Sequence, residues 1–255
     1  MKKLFIKNRD NKKICVVVDY TKNSKGLVFI MHGLGSSKDK AHIMSFAESY
    51  KKNNFTVVRF DTTNARGESD GKLEDATITN YFKDLEDIIN WSSKQKWYKE
   101  PFFLTGHSLG GICIILYAQK YPNKVKAIAP VSTVVSGKLS LETPSNKDWR
   151  AWMKSGWHVY ASQSGNIKKI RWSHYEDRLK YDILKKADKM NIPVLLIVGE
   201  KDASTPVDHI KKLHEKLRCD KELHIIKGAE HSFIEEKHLT EIRNIMDKWI
   251  KKTNK

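Results

Sequence analysis

Cysteine is scarce in this sequence. Among 255 residues there are three cysteines, Cys15, Cys113 and Cys219. They are too few and too widely spaced for a disulfide framework or for a Cys-x-x-Cys metal site. The cysteine content therefore indicates a protein of a reducing compartment.

Long hydrophobic runs are also missing. No segment approaches the roughly 20 apolar residues that a membrane-spanning helix needs. The first ten residues, MKKLFIKNRD, lack the apolar stretch of about 7–15 residues found in signal peptides. These two absences predict a cytoplasmic protein without a membrane span.

Acidic residues are outnumbered by basic ones, 30 to 47, which gives a formal net charge of +17. Such an excess would suit a nucleic-acid partner, because clustered cations neutralise phosphates. The lysines instead occur as pairs dispersed along the chain. Examples of these pairs are Lys51-Lys52, Lys168-Lys169, Lys185-Lys186, Lys211-Lys212 and Lys251-Lys252. Dispersed pairs are typical of a solvated surface, so we expect no nucleic-acid partner; the oligomeric state stays open.

Short apolar, β-rich runs alternate with amphipathic stretches along most of the chain. After an opening hairpin, LFIKN and KICVVVDY, the runs are GLVFIM (26–31), FTVVRF (55–60), PFFLT (101–105), KAIAPV (126–131), PVLLIVG (193–199) and ELHIIK (222–227). Continuously apolar strands are buried on both faces, as in a parallel sheet covered by helices. The pattern predicts an α/β fold with a mostly parallel sheet of about eight strands and helices on both faces.

The alternation is interrupted once, between about Ser132 and Met190. No strand is evident in this stretch, where turn residues are mixed with many aromatic residues. We interpret residues 135–190 as a helical cap inserted between core strands of a single domain that spans 1–255. Four of the seven tryptophans fall in this stretch, and Trp152, Trp157 and Trp172 are candidates to line a substrate pocket. The alternative is that they only pack the cap onto the core.

A candidate nucleophile lies in the stretch TGHSLGG. Ser108 occupies the centre of a Gly-x-Ser-x-Gly pattern, between the strand PFFLT and a predicted helix. Glycines on either side let the chain pass closely while the serine adopts a strained turn. The helix directs its first N–H groups toward the substrate, so Leu109 N–H is predicted to bind an oxyanion.

A base and an acid must activate such a serine. Of ten histidines, His231 is the one that follows the last strand by a short loop, which places it at the carboxyl edge of the sheet with Ser108. Asp202 follows the strand PVLLIVG at the same edge, with Glu200 as the alternative acid. The chain order of Ser108, Asp202 and His231 is the order that this type of elbow requires. A second oxyanion donor is expected at Leu34 N–H, in the turn His32-Gly33-Leu34-Gly35.

These motifs resemble those of the α/β-hydrolase superfamily over nearly the whole chain outside 135–190. The run Gly67-Glu68-Ser69-Asp70-Gly71 after Arg59-Phe60-Asp61 is similar to small bacterial serine esterases, among them feruloyl (cinnamoyl) esterases, with monoacylglycerol-lipase-like enzymes close by. One departure is the stretch Asn64-Ala65-Arg66, which lacks the first glycine of the usual Gly-x-Gly-x-Ser and is a residue longer.

The resemblance implies a serine hydrolase of carboxylic esters that forms an acyl-enzyme. Its expected substrates are small to medium esters with an apolar or aromatic acyl group, and it needs no metal or organic cofactor. Three alternatives stay open: a serine peptidase or amidase related to prolyl oligopeptidase, a lysophospholipase or monoacylglycerol lipase, and an inactive binding module. The presence of all three triad candidates argues against the inactive module.

Overall fold

Ten strands and eight α-helices form the secondary structure of residues 1–161 and 167–254, which the computed structural model describes. The strands are β1 Lys2–Lys7, β2 Lys13–Asp19, β3 Gly26–Met31, β4 Phe55–Phe60, β5 Phe102–His107, β6 Val125–Val131, β7 Trp157–Ala161, β8 Ile167–Arg171, β9 Val194–Gly199 and β10 Lys221–Ile226. The α-helices are α1 Ala41–Lys52, α2 Ile78–Ser92, α3 Leu109–Lys120, α4 Gly137–Leu141, α5 Trp149–Ser155, α6 Ser173–Arg178, α7 Val207–Lys216 and α8 Glu236–Thr253. Short 3-10 helices cover Leu73–Asp75, Pro122–Lys124, Pro144–Asn146 and Ile183–Lys189.

Eight of these strands form one sheet, in the order β1-β2-β4-β3-β5-β6-β9-β10. The pairs β1–β2 and β2–β4 are antiparallel, and the remaining neighbours are parallel. Adjacent parallel strands have their carboxyl ends at the same edge of the sheet. Met31 pairs with Gly106, and His107 pairs with Val131. The predicted sheet of about eight mostly parallel strands is therefore confirmed.

Helices cover both faces of this sheet. On one face, α1 and α8 pack over a core that includes Phe46, Phe103 and Trp249. On the other face, α2, α3 and α7 pack over the larger core, to which Phe29 and Leu104 belong. The apolar runs β3, β4, β5 and β9 are buried at every residue, as their continuous apolar character predicts. Within the described residues, no helix is both long enough and apolar enough to cross a membrane.

The predicted cap, residues 135–190, contains a β-hairpin as well as helices. The strands β7 and β8 pair antiparallel, with Trp157 opposite Arg171 and Tyr160 opposite Lys168. The expectation that this stretch has no strand is therefore wrong. Both strands are short, and their mixture of basic and aromatic residues gives no continuous apolar run. The helices α4, α5 and α6 have only 5, 7 and 6 residues. The boundaries 135–190 stay a prediction.

A buried lysine joins the loop after β3 to the loop after β4. The side chain of Lys38 is 2% exposed, and its ammonium lies 3.2 Å from Asp61 Oδ2 and 2.7 Å from Glu68 Oε1. The backbone N–H of Lys38 also donates to Asp61 Oδ1, at 2.7 Å. Burial opposes the charge of Lys38, but Asp39, Glu68 and Asp61 outweigh it and raise the pKa of the ammonium above its usual range. The two loops are thus held together by a charged group in their interior.

Replacing Lys38 with methionine should lower the free energy of unfolding by about 3–5 kcal/mol, because the fully buried Asp61 carboxylate loses its cation. Urea denaturation measures this change. The matched control is Lys3→Met, since Lys3 binds the same Glu68 on the exposed side, where water replaces the contact. The control should unfold almost as the wild type does. Equal stability of Lys38→Met and wild type would contradict the prediction.

Candidate active site

Ser108 occupies a sharp turn between β5 and α3. Its backbone has φ 54° and ψ −112°, a conformation that side-chain-bearing residues rarely adopt. The turn is held by the Ser108 N–H, which donates to Val131 O at 2.9 Å, and by the Ser108 carbonyl, which accepts from Gly111 N–H at 3.0 Å. The strained elbow predicted from the sequence is present, and it lifts the serine hydroxyl above the carboxyl edge of the sheet.

The glycines of the elbow are required by close backbone contacts. A Cβ atom at Gly106 would lie 2.4 Å from the carbonyl oxygen of Gly110, and one at Gly110 would lie 2.7 Å from the carbonyl oxygen of His32. Neither distance leaves room for a side chain. The first turn of α3 therefore lies directly against the end of β3 and against the turn that follows it.

Ser108, His231 and Asp202 form a continuous hydrogen-bonded chain. His231 Nε2 lies 3.0 Å from Ser108 Oγ, and His231 Nδ1 lies 2.8 Å from Asp202 Oδ2. Glu200, the alternative acid, instead accepts a hydrogen bond from Gly228 N–H. The structure thus brings the three predicted residues together in the geometry that lets an imidazole accept the serine proton.

The Asp202 carboxylate is buried and receives hydrogen bonds on both oxygens. The N–H groups of Ser204 and Thr205 donate to Oδ1, and the Thr205 hydroxyl donates to Oδ2. Burial alone would raise the pKa of Asp202, but the charge and hydrogen bond of His231, together with Thr205, outweigh it and lower the pKa. An ionised carboxylate is therefore favoured, and it orients His231 with Nδ1 protonated.

Two further histidines hold the loop that carries His231. His107 Nε2–H donates to the carbonyl of His231 at 2.8 Å, and His42 hydrogen-bonds to the backbone of Ser232. The His107 ring lies between the other two, with centroids 4.3 Å from His42 and 4.8 Å from His231. Burial lowers the pKa of His107 well below its usual range and that of His42 to about 3. Both rings are therefore neutral, and neither role was evident from the sequence.

The turn after β3 lies beside the nucleophile. A Cβ at Gly33 would lie 3.0 Å from Ser108 Cβ. The ring of His32 fixes this turn, because its Nδ1–H donates to Gly33 O at 2.8 Å and its Nε2 accepts from Thr62 N–H at 3.1 Å. Since C=O and N–H point in opposite directions in a trans peptide, Leu34 N–H points away from this engaged carbonyl. Leu34 and Leu109 stay the predicted oxyanion donors.

Two of the three candidate pocket tryptophans, Trp152 and Trp172, share an aromatic cluster around Tyr175, and Trp157 lies apart from it. Trp152 stacks on His158 at a centroid distance of 3.4 Å, and Trp172 stacks on Tyr175 at 5.3 Å. Trp157 lies beneath Lys169, whose ammonium is 3.8 Å from the ring centroid. Among the ring contacts of the described residues, none joins these tryptophans to His231. Their role in substrate binding stays a prediction.

The unusual loop Asn64-Ala65-Arg66 joins the core to the cap. Asn64 has φ 59°, and its side-chain amide donates to Asp75 O and Asn80 Oδ1. Arg66 Nη2 donates to Ile167 O at 2.9 Å, at the start of β8. Asparagine tolerates the left-handed conformation that glycine usually supplies in such turns. This loop places the basic side chain of Arg66 against the cap hairpin.

One group of potential metal ligands lies within the described residues, away from the serine. Ligand atoms of Cys15, Asp61 and Glu68 lie within 4.8 Å of one another. The ammonium of Lys38 already contacts both carboxylates. Burial raises the pKa of the Cys15 thiol to about 11, so the thiolate that a metal needs is disfavoured. These donors do not fit a metal centre.

The sheet order, the elbow and the residues that meet at its edge define an α/β-hydrolase. The chain belongs to the family described as serine aminopeptidase, S33, whose model matches residues 22–182 and 178–238.

Two curated relatives illustrate the range of similar proteins. A segment of 190 residues is 29% identical to the mitochondrial palmitoyl-protein thioesterase ABHD10 of Bos taurus, and it covers 72% of this chain and 58% of that protein. The chain thus spans little more than half the length of this relative. It is also 25% identical over 235 residues to a monoglyceride lipase homolog of Monkeypox virus, with 81% and 82% of the two chains covered.

Solved structures share the fold over almost the whole chain. Est1E from Butyrivibrio proteoclasticus, with ferulic acid bound, superposes with a TM-score of 0.83 and 20% identity and covers 98% of both chains. Mouse α/β-hydrolase domain-containing protein 10 superposes with a TM-score of 0.82 and 20% identity over 99% of both chains. At these identities the likeness establishes the fold.

Replacing His107 with leucine should lower the rate at which a fluorophosphonate labels Ser108 by about threefold to tenfold. The reason is that the loop of His231 loses one hydrogen bond, with a net contribution of about 0.5–1.5 kcal/mol. Labelling is followed by gel fluorescence. His107→Gln, which retains an N–H donor, should recover part of the rate. The control His224→Leu, on β10, should label as the wild type does, and wild-type labelling of His107→Leu would exclude this role.

Proposed function

We propose that the protein hydrolyses carboxylic esters through an acyl-enzyme formed on Ser108. The observation that carries the proposal is the chain of two hydrogen bonds that joins Ser108 Oγ to the His231 ring at 3.0 Å and the His231 ring to the Asp202 carboxylate at 2.8 Å. The family and the fold agree with this chemistry.

In the proposed reaction, Ser108 Oγ attacks the ester carbonyl while His231 Nε2 accepts its proton. The carbonyl oxygen becomes an oxyanion, which the N–H groups of Leu34 and Leu109 bind. Each such donor typically contributes about 2.7–4 kcal/mol to transition-state stabilisation. His231 then protonates the departing alcohol. Water, deprotonated by His231, then attacks the acyl-enzyme, and His231 returns the proton to Ser108 Oγ as the bond to the acyl group breaks and the acid is released.

The proposed substrates are small to medium esters with an apolar or aromatic acyl group. The aromatic side chains of the cap support this, with Trp152, Trp157 and Trp172 as candidate contacts. The named activities of the relatives extend the candidates to thioesters and monoglycerides. The family description, serine aminopeptidase, adds peptides with a free amino terminus to the candidate substrates. A panel of p-nitrophenyl esters, acyl thioesters, monoacylglycerols and aminoacyl p-nitroanilides distinguishes these classes.

The setting we propose is the cytoplasm, with a small molecule as the partner and no nucleic acid. Buried Cys15 and Cys113 are free thiols, as is the half-buried Cys219. Free thiols suit a reducing compartment. The thioesterase relative is, by its name, mitochondrial, so the location is best tested by imaging a tagged copy in the native cell.

Ser108→Ala should abolish hydrolysis of short p-nitrophenyl esters, with turnover lowered on the order of 10⁶-fold, because no other group at the elbow supplies the nucleophile. Release of p-nitrophenolate measures the rate. Ser93→Ala, at the exposed end of α2, is the matched control and should retain wild-type turnover. Turnover of Ser108→Ala comparable to the wild type would refute the proposed mechanism.

Acid should lower kcat/KM, since a protonated His231 cannot accept the serine proton. The lowered pKa of Asp202 keeps its carboxylate ionised through this range, so the loss arises at the imidazole. Initial rates between about pH 5 and 8, with unfolding monitored by fluorescence, test this. A rate that does not change over this interval would argue against an imidazole base.

A further inference from the structure

Arg178, at the end of α6, is a buried cation without an acidic partner. The residue is 7% exposed, and its Nε–H has no hydrogen-bond partner. Its guanidinium donates to the Ser140 hydroxyl and to His174 Nε2, both neutral groups. No ion pair joins it to an Asp or Glu of the described residues. Buried charges are ordinarily paired, because removal from water is costly.

The position of Arg178 is fixed by a chain of directed hydrogen bonds. His174 Nδ1 is 2.8 Å from the carbonyl of Ala76 and must donate to it, so His174 Nε2 is the acceptor for Arg178 Nη2. Burial, followed by the charge of Arg178, lowers the pKa of His174 well below its usual range. The neutral histidine therefore holds the arginine without cancelling its charge.

A second cation, Lys168 on β8, reaches from the cap to the turn beside the nucleophile. Its Nζ donates to Gly35 O at 3.2 Å, one residue beyond the proposed oxyanion donor Leu34. Burial, with the nearby charges of Arg66 and Lys40, lowers the pKa of Lys168. Lys168 also lacks an ion pair with any acidic residue of the described chain. Positive charge therefore accumulates on this side of the site.

An aromatic surface connects the two cations. Lys168 pairs across the hairpin with Tyr160, and its ammonium lies 5.8 Å from the centre of that ring. Tyr160 stacks on His158, whose ring centre is 5.8 Å from that of Tyr175, and the Arg178 guanidinium lies 5.2 Å from the centre of the Tyr175 ring. Side chains alternate along a strand, so this inner face of the hairpin is distinct from the outer face with Lys169.

The other cations of the hairpin lie on its outer face. Arg171, also on β8, forms ion pairs with Glu74 and Asp75. Lys169 lies over the ring of Trp157. Lys168 and Arg178 differ from them because they lie on the inner side of the cap and have no acidic partner among the described residues.

We propose that the inner face of the cap binds an anionic group at the far end of the substrate's acyl chain, a carboxylate or a phosphate, between Lys168 and Arg178. The inference rests on the proposed function and narrows its substrate class to acyl groups that are apolar or aromatic in the middle and negatively charged at the end. Guanidinium and ammonium groups bind both anions by charge-assisted hydrogen bonds.

The test compares p-nitrophenyl hexanoate with the mono-p-nitrophenyl ester of adipic acid, which replaces the terminal methyl by a carboxylate. A third ester of the same length ends in a phosphate. The wild type should prefer at least one anionic ester by about 10- to 100-fold in kcat/KM, as expected for hydrogen bonds to a charged group. The larger preference identifies the anion.

Lys168→Met should reduce this preference to within about threefold of unity, since the chain length is kept and the charge is lost. The matched control is Lys169→Met, the adjacent lysine on the outer face, which should retain the wild-type preference. The variant is made at Lys168 because replacement of the more deeply buried Arg178 risks unfolding the cap. Circular dichroism and thermal melting of both variants verify folding.

Binding to the Ser108→Ala protein separates this inference from the proposed function. Calorimetry should show tighter binding of the preferred anionic ester than of the hexanoate, and Lys168→Met in the same background should remove the difference. This arm does not require turnover, so an inactive wild type would count against the esterase alone. Equal kcat/KM for neutral and anionic esters, or an equal loss in Lys169→Met, would overturn the anion site.

Discussion

The contact on which the site depends is the packing of the α3 start against the end of β3. With 2.7 Å between the Cβ position of Gly110 and the carbonyl oxygen of His32, any side chain at Gly110 would separate the two elements. The same contact sets the distance between Ser108, whose backbone is strained, and the turn that contains Leu34. The serine and the predicted oxyanion donors are therefore positioned by close backbone contact, and the His32 ring fixes the turn after β3.

The sequence predicted the parts of the site that follow from strand ends. Ser108, Asp202 and His231 each come soon after an apolar run, and parallel strands bring such residues to one edge. The hairpin β7–β8 could not be predicted, because its strands are short and lack an apolar period. The contact between His107 and the His231 carbonyl joins residues 124 positions apart, and no local pattern reveals it.

Buried charged side chains have different partners in the core and in the cap. In the core, the buried Lys38 contacts the carboxylates of Asp61 and Glu68, and Asp202 is surrounded by donors. In the cap, Arg178 has only neutral partners among the described residues. The basic residues that give the net charge of +17 thus include buried cations as well as surface lysines. Composition alone does not distinguish buried cations from exposed ones.

The Lys38 cross-link also bears on how the cap is attached to the core. It ties the loop after β3 to the loop after β4. The cap contacts both loops, because Lys168 of the cap donates to Gly35 O and Arg66 of the core donates to Ile167 O of the cap. The two loops are therefore joined, and parting them would expose a buried ion pair. The cap hairpin is attached to the core by hydrogen bonds at Gly35 and Arg66 and by the ion pairs of Arg171 with Glu74 and Asp75. The loop that contains Leu34 is thus held on the core side by the Lys38 ion pairs and on the cap side by Lys168.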